Sequence, residues 1–97
     1  MAQYDVFRVG SGLVVDVQTD LVTVPMRRVV VPLVLAEGAP PPTDRLHPGV
    51  VILGERYLML THLLGAVPDL HLRDPVANLA SQTDEITRAL DMLFHGF

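Results

Sequence analysis

One segment, Arg27–Leu35, constrains the fold more than any other part of this chain. In an extended conformation it is apolar on both faces, and such a strand has to be covered on both sides. Its faces consist of Val29, Val31, Leu33 and Leu35 on one side and Val30 and Val34 on the other. Pro32 has no amide hydrogen to donate, which favours an edge position or a bulge. A second copy of the chain could supply part of the cover, so we expect a homodimer.

The hydrophobic content is high for the length of the chain. Of the 97 residues, 49% are hydrophobic, and the mean hydropathy is +0.38. A domain of this size buries only a small core. Apolar surface should therefore remain for self-association or for a partner. There is no internal repeat and no low-complexity tract, and we predict a single domain over residues 1–97.

The charge balance excludes several classes of protein. The chain has 7 basic and 11 acidic residues, a net charge of −4, and no basic cluster beyond Arg27-Arg28, which disfavours direct binding to nucleic acid. It has no cysteine, so disulfides and thiolate metal sites are excluded. The N-terminus lacks the features of a secretion signal, and the longest apolar run, Val29–Ala36, is too short to span a bilayer. We expect a cytoplasmic protein that does not contact the membrane.

Short apolar stretches alternate with turn signals over the first two thirds of the chain, which is typical of a small β-barrel. Gly10-Ser11-Gly12 predicts a hairpin between strands at Gln3–Val9 and Leu13–Gln18. A second hairpin is predicted between Val50–Leu53 and Tyr57–Thr61. The strands should extend from about residue 3 to about residue 72, where a short extended piece ends the strand region.

A loop is predicted at Asp20–Pro25, because Pro25 lacks an amide donor and the residue before a proline is restricted. Leu21 and Val22 fall in this loop. They are either exposed for a partner or plug the open end of the barrel.

A helical pattern follows the strands. Asp74-Pro75 predicts a short helical turn as far as Leu79, and Ser81 with Asp84 resembles a capping box. A helix is predicted over about residues 82–95, ending at Gly96. Its apolar stripe consists of Ile86, Ala89, Leu90, Leu93, Phe94 and Phe97. This periodicity predicts that Phe94 packs into the core.

Residues with catalytic or metal-binding chemistry are scattered. The four histidines, His47, His62, His71 and His95, lack the spacing of a zinc site. Ser11 and Ser81 are explained by a turn and a helix cap. We therefore predict no catalytic residue, no metal and no cofactor.

Two blocks of sequence are more specific than single motifs. The first consists of Val15-Asp16-Val17-Gln18-Thr19-Asp20, Pro25, Arg27-Arg28, Val30 and Pro32-Leu33. The second consists of Leu46-His47-Pro48, Ile52, Gly54-Glu55, Met59, Thr61, Val67-Pro68, Val76-Ala77, Leu79, Ile86, Ala89, Phe94 and Gly96. Together they resemble the CcdB toxin family, the gyrase poisons of toxin–antitoxin modules, and the resemblance covers nearly the whole chain.

The resemblance implies an SH3-like β-barrel with a C-terminal helix, assembled as a homodimer. It implies the toxin of a type II toxin–antitoxin system, a topoisomerase poison that binds the DNA gyrase A subunit and traps the gyrase–DNA cleavage complex. A disordered segment of a cognate antitoxin would neutralise it. The implied gyrase-binding residues are Leu21, Val22, Asp91, Phe94, His95, Gly96 and Phe97.

Two alternatives stay open. MazF and Kid endoribonucleases share the barrel, and an RNase of this kind would have to use Arg27, Arg28, Asp20 and His62. The two arginines could instead pair with acids on the same sheet. A detoxified relative is the other alternative, because His95 stands where the family has tryptophan and Asp91 where asparagine is usual. Imidazole buries less surface than indole.

Overall fold

The computed structural model describes residues 2–21, 26–37 and 45–96. Its elements are seven strands, β1 (Asp5–Val9), β2 (Gly12–Asp16), β3 (Arg27–Leu35), β4 (Gly49–Ile52), β5 (Glu55–Met59), β6 (Gly65–Pro68) and β7 (Ala77–Asn78), and one helix, α1 (Thr83–His95). Single 3₁₀ turns span Thr61–Leu63, Asp69–His71 and Ala80–Gln82. None of the helices described is long and apolar enough to cross a membrane.

The strands form one antiparallel sheet in the order β4-β5-β3-β2-β1-β7, and β6 also pairs with β3. The sheet curls into a nearly closed barrel. Near the gap, the Gln82 side chain donates a hydrogen bond to the Gly49 carbonyl at 3.2 Å, joining the start of α1 to the edge strand β4. A mainly β barrel with one C-terminal helix was predicted from the sequence, and the structure confirms it.

Both predicted hairpins are present. In the first, Val9 pairs with Gly12, and in the second, Ile52 pairs with Glu55. The second turn consists of Leu53 and Gly54, one residue earlier than the sequence indicated, and both have positive φ (52° and 83°). Two consecutive residues of this conformation form the turn that matches the twist of a tight hairpin.

Pro32 lies in a central strand, and the prediction of an edge position or a bulge is wrong. Pro32 pairs with Val14 on β2 in an unbroken register. On the opposite side of β3, β6 pairs only as far as Val30 and β5 begins at Leu33. The Pro32 carbonyl accepts a hydrogen bond from Leu60 on this side, at 2.9 Å. The imide nitrogen therefore faces the junction between two successive partner strands, where no amide hydrogen is needed.

The middle of β3 is covered on both faces by its own chain. Val31 belongs to the main core inside the barrel, together with Ile86 of α1, and Val30 packs with Phe7 and Leu72 in a second, smaller cluster. Leu35, at the end of the strand, is exposed. We expected a second copy to cover part of β3, but Val30 and Val31 are covered by other residues of the same chain.

The region between the barrel and α1 differs from prediction. Leu70 lies in a 3₁₀ turn rather than an extended piece. The helical turn after Asp74-Pro75 does not form, because Ala77 and Asn78 instead pair with Val6 and Asp5 of β1. These strand bonds satisfy backbone groups that an isolated turn would leave to solvent.

The predicted capping box is also absent. The first residue before α1 is Gln82, which makes no side-chain capping bond. The Asn78 side chain accepts from the Ala80 amide at 2.8 Å, and the Thr83 hydroxyl donates to the Ala80 carbonyl at 2.6 Å. Ser81 is left in the 3₁₀ turn that these bonds shape.

Candidate protein-binding surface

The C-terminal turn of α1 presents an apolar side chain to solvent. Ile86 and Ala89 are fully buried against the barrel, but Phe94 is 63% exposed. The prediction that Phe94 packs inward is therefore wrong. In a helix of 3.6 residues per turn, a residue eight positions after Ile86 has rotated to about 80° from it, whereas Leu93 lies within about 20°. Leu93, which is partly buried, continues the core stripe in place of Phe94.

The other residues assigned to the end of the helix are exposed as well. Asp91 and His95 lie on the last two turns beside Phe94. Gly96 ends the helix in the left-handed conformation (φ 79°), and its amide donates to the Met92 carbonyl at 3.0 Å. This ending was predicted, and it fixes the direction in which the chain leaves the helix. Phe97 lies outside the described residues.

Leu21 is the most exposed large apolar residue that the structure describes, at 94%. The alternative that it plugs the barrel is therefore wrong. Its amide donates to the Thr19 hydroxyl at 3.2 Å, which is a local turn contact. Val22 lies outside the described residues. Leu21 comes from the connection between β2 and β3, an element separate from α1.

Two further exposed apolar residues near this connection were missed by the sequence analysis. Met26 and Leu70 are both exposed, and the Asp69 amide donates to the Met26 carbonyl at 2.9 Å, so the two segments meet. Periodicity did not indicate their exposure, because Leu70 falls in the predicted extended piece and Met26 directly follows the predicted loop.

A buried ion pair lies beneath the Leu21 connection. Arg28 Nε donates to Asp16 Oδ2 at 2.7 Å, and the side chains are 12% and 0% exposed. Arg28 Nη2 also lies 3.5 Å from Asp20 Oδ1. The hydrogen bond to Asp16 is the main cause of a raised Arg28 pKa, so this guanidinium remains charged. The prediction that the arginines pair with acids on the same sheet is confirmed for Arg28.

His47 and His62 are fifteen positions apart, and only the fold brings them together. His47 Nε2 lies 2.8 Å from His62 Nδ1, and the ring centroids are 4.8 Å apart. Burial, and to a lesser degree the charge of His62, lowers the pKa of His47. In the part of the chain that is described, no three histidine, aspartate or glutamate side chains are close enough to hold a metal ion.

The structure gives the proposed RNase residues different partners. Arg28, on β3, pairs with Asp20 in the connection between β2 and β3, and His62, in the turn before β6, pairs with His47. Arg27 is exposed at the start of β3. Arg28 is thus engaged by carboxylates of its own chain.

Comparison with known protein families gives a match that covers this whole arrangement. The family model described as CcdB protein matches residues 3–96 of the chain. The match includes the barrel, the Leu21 connection and α1 with its exposed end.

Proposed function

The chain belongs to the CcdB family, which makes it a toxin of a toxin–antitoxin system; we propose that it acts by binding the DNA gyrase A subunit and trapping the cleaved gyrase–DNA complex. On this proposal the protein is a binder that acts in the cytoplasm, where gyrase acts on DNA. Neither a cofactor nor a catalytic residue is part of the mechanism. A disordered segment of the cognate antitoxin is proposed to bind the same protein and neutralise it.

The exposed Phe94 is the observation that carries the proposal. Burying a phenylalanine side chain contributes about 1.5–3 kcal/mol, and this contribution is forgone while the ring faces water. Aromatic residues are also among those that contribute most to protein interfaces. A phenylalanine in this position is therefore better suited to a partner protein than to the fold of the isolated chain.

Leu21 supports the proposal from a second element. It is an apolar side chain with almost no cover, held on a connection whose base is built from a buried ion pair. We propose that Leu21 and Val22 contact the gyrase A subunit together with the end of α1. There, Asp91, Phe94, His95, Gly96 and Phe97 form the second contact.

A homodimer is part of the proposal. Exposed apolar residues outside the proposed gyrase contact occur on several elements, and they include Met26, Leu35, Leu53, Leu63 and Leu70. A second copy would cover some of this surface and would present two helix ends to the partner. Sedimentation tests this point, and a monomer at micromolar and higher concentrations would contradict it.

The deciding experiment is a gyrase cleavage reaction, in which linearised plasmid is measured after addition of the purified protein. We expect linear DNA to accumulate with the natural chain and to fall sharply with Phe94→Ala, because the ring is the proposed anchor. Val51→Ala is the matched control, since it also truncates an exposed apolar side chain, on β4.

The outcomes separate the proposal from its alternatives. Binding to the gyrase A subunit without linear DNA would point to the detoxified relative. RNA degradation in the same preparation, abolished by Arg27→Ala, would replace the proposal by the ribonuclease reading. An equal loss of linear DNA with Phe94→Ala and Val51→Ala would contradict the assignment of the end of α1 to the gyrase contact.

A further inference from the structure

We propose that Asp20 is a positioning residue that Arg28 holds in place, and that it fixes the segment ending at Leu21 before a partner binds. This inference rests on the proposed function, because Leu21 is assigned there as a contact for the gyrase A subunit. The residues concerned, 17–21, are called the Leu21 segment below.

Arg28 is held in a fixed position. Its Nε donates to the buried Asp16 carboxylate at 2.7 Å, and its Nη2 donates to the Gln18 carbonyl at 3.3 Å. The second oxygen of Asp16 accepts from the Gln18 amide at 3.0 Å. Because the guanidinium is planar and donates from two nitrogens to acceptors on two residues, it has little freedom to rotate. Arg28 therefore presents one N–H group in a defined direction, toward Asp20.

Asp20 is attached at two places. One carboxylate oxygen lies 3.5 Å from Arg28 Nη2 on β3. Both oxygens accept from the Gln3 amide, at 3.1 and 3.2 Å. The Gln3 side chain in turn donates to the Val17 carbonyl at 3.2 Å, at the other end of the segment. The residue directly before Leu21 is thus tied both to the sheet and to the N-terminal stretch.

The backbone entering the segment is fixed in the same way. The Val17 amide donates to the Val29 carbonyl at 3.0 Å, and the Val29 amide donates to the Gln18 side chain at 3.2 Å. With Asp20 attached, the segment is held on both sides of Thr19. A side chain that is ordered before binding avoids the entropy cost of ordering in the complex.

The exposure of the two carboxylates separates positioning from folding. Asp16 is fully buried, and removing one partner would leave the other charge unpaired in the interior, so variants of Asp16 or Arg28 would also destabilise the barrel. The Asp20 side chain is 56% exposed, and ion pairs at that exposure contribute little to stability. Variants of Asp20 therefore test the position of Leu21 with the fold intact.

Two variants of Asp20 distinguish positioning from a direct charge contact with the partner. Asp20→Ala removes every acceptor, whereas Asp20→Asn removes the charge but keeps a carbonyl that can accept from the Gln3 amide. If Asp20 acts by positioning, the affinity of Asp20→Asn for the gyrase A subunit should lie between those of the natural chain and Asp20→Ala. A direct charge contact predicts that the two variants are equally impaired. Glu55→Ala, an exposed acid at the β4–β5 turn, is the control for the change in net charge.

Two measurements are needed, one on the free protein and one on the complex. In the free protein, the ¹⁵N order parameter of the Leu21 amide should fall from about 0.85 to below about 0.6 in Asp20→Ala, with β3 and the thermal midpoint unchanged. Affinity for the purified gyrase A subunit should fall roughly fivefold to tenfold in the same variant. Glu55→Ala should change neither quantity.

The two measurements can fail separately. If the natural chain does not bind the gyrase A subunit, the proposed function fails, while a drop in the Leu21 order parameter still supports the positioning of the segment. If the natural chain binds and Asp20→Ala binds equally well, the inference is overturned. An unchanged order parameter, or equal impairment in Asp20→Ala and Asp20→Asn, overturns it as well.

Discussion

The two ends of α1 have the same amphipathic sequence pattern but different environments. In the first half, Ile86 and Ala89 are fully buried in the barrel core. In the last turn, Phe94 faces solvent although it is larger and more apolar than Ala89. The difference shows that apolar residues of one helix can be buried at its first half and exposed at its last turn, because a shift of one position rotates a side chain away from the core.

Truncation of a buried side chain in the first half of α1 should have the largest effect on stability. Ile86→Ala should lower the free energy of unfolding by about 2–5 kcal/mol, because it leaves a cavity in the main core. Phe94→Ala should change it by no more than about 0.5 kcal/mol, as for a surface substitution. Chemical denaturation measures both values. Similar losses in the two variants would mean that Phe94 has a structural role.

Binding to the partner should show the reverse order. Phe94→Ala is expected to weaken binding to the gyrase A subunit by more than about 1 kcal/mol, roughly fivefold or more, if the ring is a central anchor. Thr87→Ala, on an exposed position of the same helix, is the control. Titration calorimetry measures the difference, and equal affinities would remove Phe94 from the proposed surface.

The end of the helix can be tested through its backbone. Gly96→Ala should cost about 1 kcal/mol, because a residue with a Cβ atom is strained at φ 79°. Gly65→Ala is the matched control, since a Cβ atom there meets nothing within 4 Å and φ lies outside the positive region. Thermal unfolding compares the two variants. A tolerated Gly96→Ala would show that this turn does not need its left-handed ending.

The smallest expected effect is a pH dependence of stability. It involves His47 and its partner His62, which lies in the turn Thr61–Leu63 against which α1 packs. Burial and the charge of His62 lower the pKa of His47, so the unfolded chain binds a proton more readily than the folded one. Stability should therefore be complete above about pH 6.5 and fall as the pH drops through that unfolded-state value toward the lower folded-state pKa.

His47→Gln should make the thermal midpoint less sensitive to acidification between pH 7.5 and 5.5. His71→Gln is the control, because His71 is an exposed residue in a separate 3₁₀ turn. The thermal midpoint of each variant is measured across this range. If the pH profile of His47→Gln matches that of the natural chain, the His47–His62 pair does not contribute to the pH dependence of stability.

Local patterns were enough to predict most of the secondary structure. Both hairpins and α1 lie close to the predicted positions, because turn chemistry and a helical period are properties of neighbouring residues. The short strand at Ala77–Asn78 was missed, since its pairing with β1 joins segments far apart in the chain. The exposure of Leu21 was one of two predicted alternatives. The buried Arg28–Asp16 pair was predicted only in general form, as a pairing of the arginines with acids on the same sheet.

The sequence by itself determined the family, the strand-then-helix order and the position where the helix ends. Only the tertiary structure decided which apolar residues are covered, why Pro32 fits a central strand, and that His47 meets His62. The physical reason is that periodicity describes one element at a time. Burial and pairing depend on what lies opposite: Leu93 continues the stripe toward the core, and Phe94, one position later, is rotated away from it.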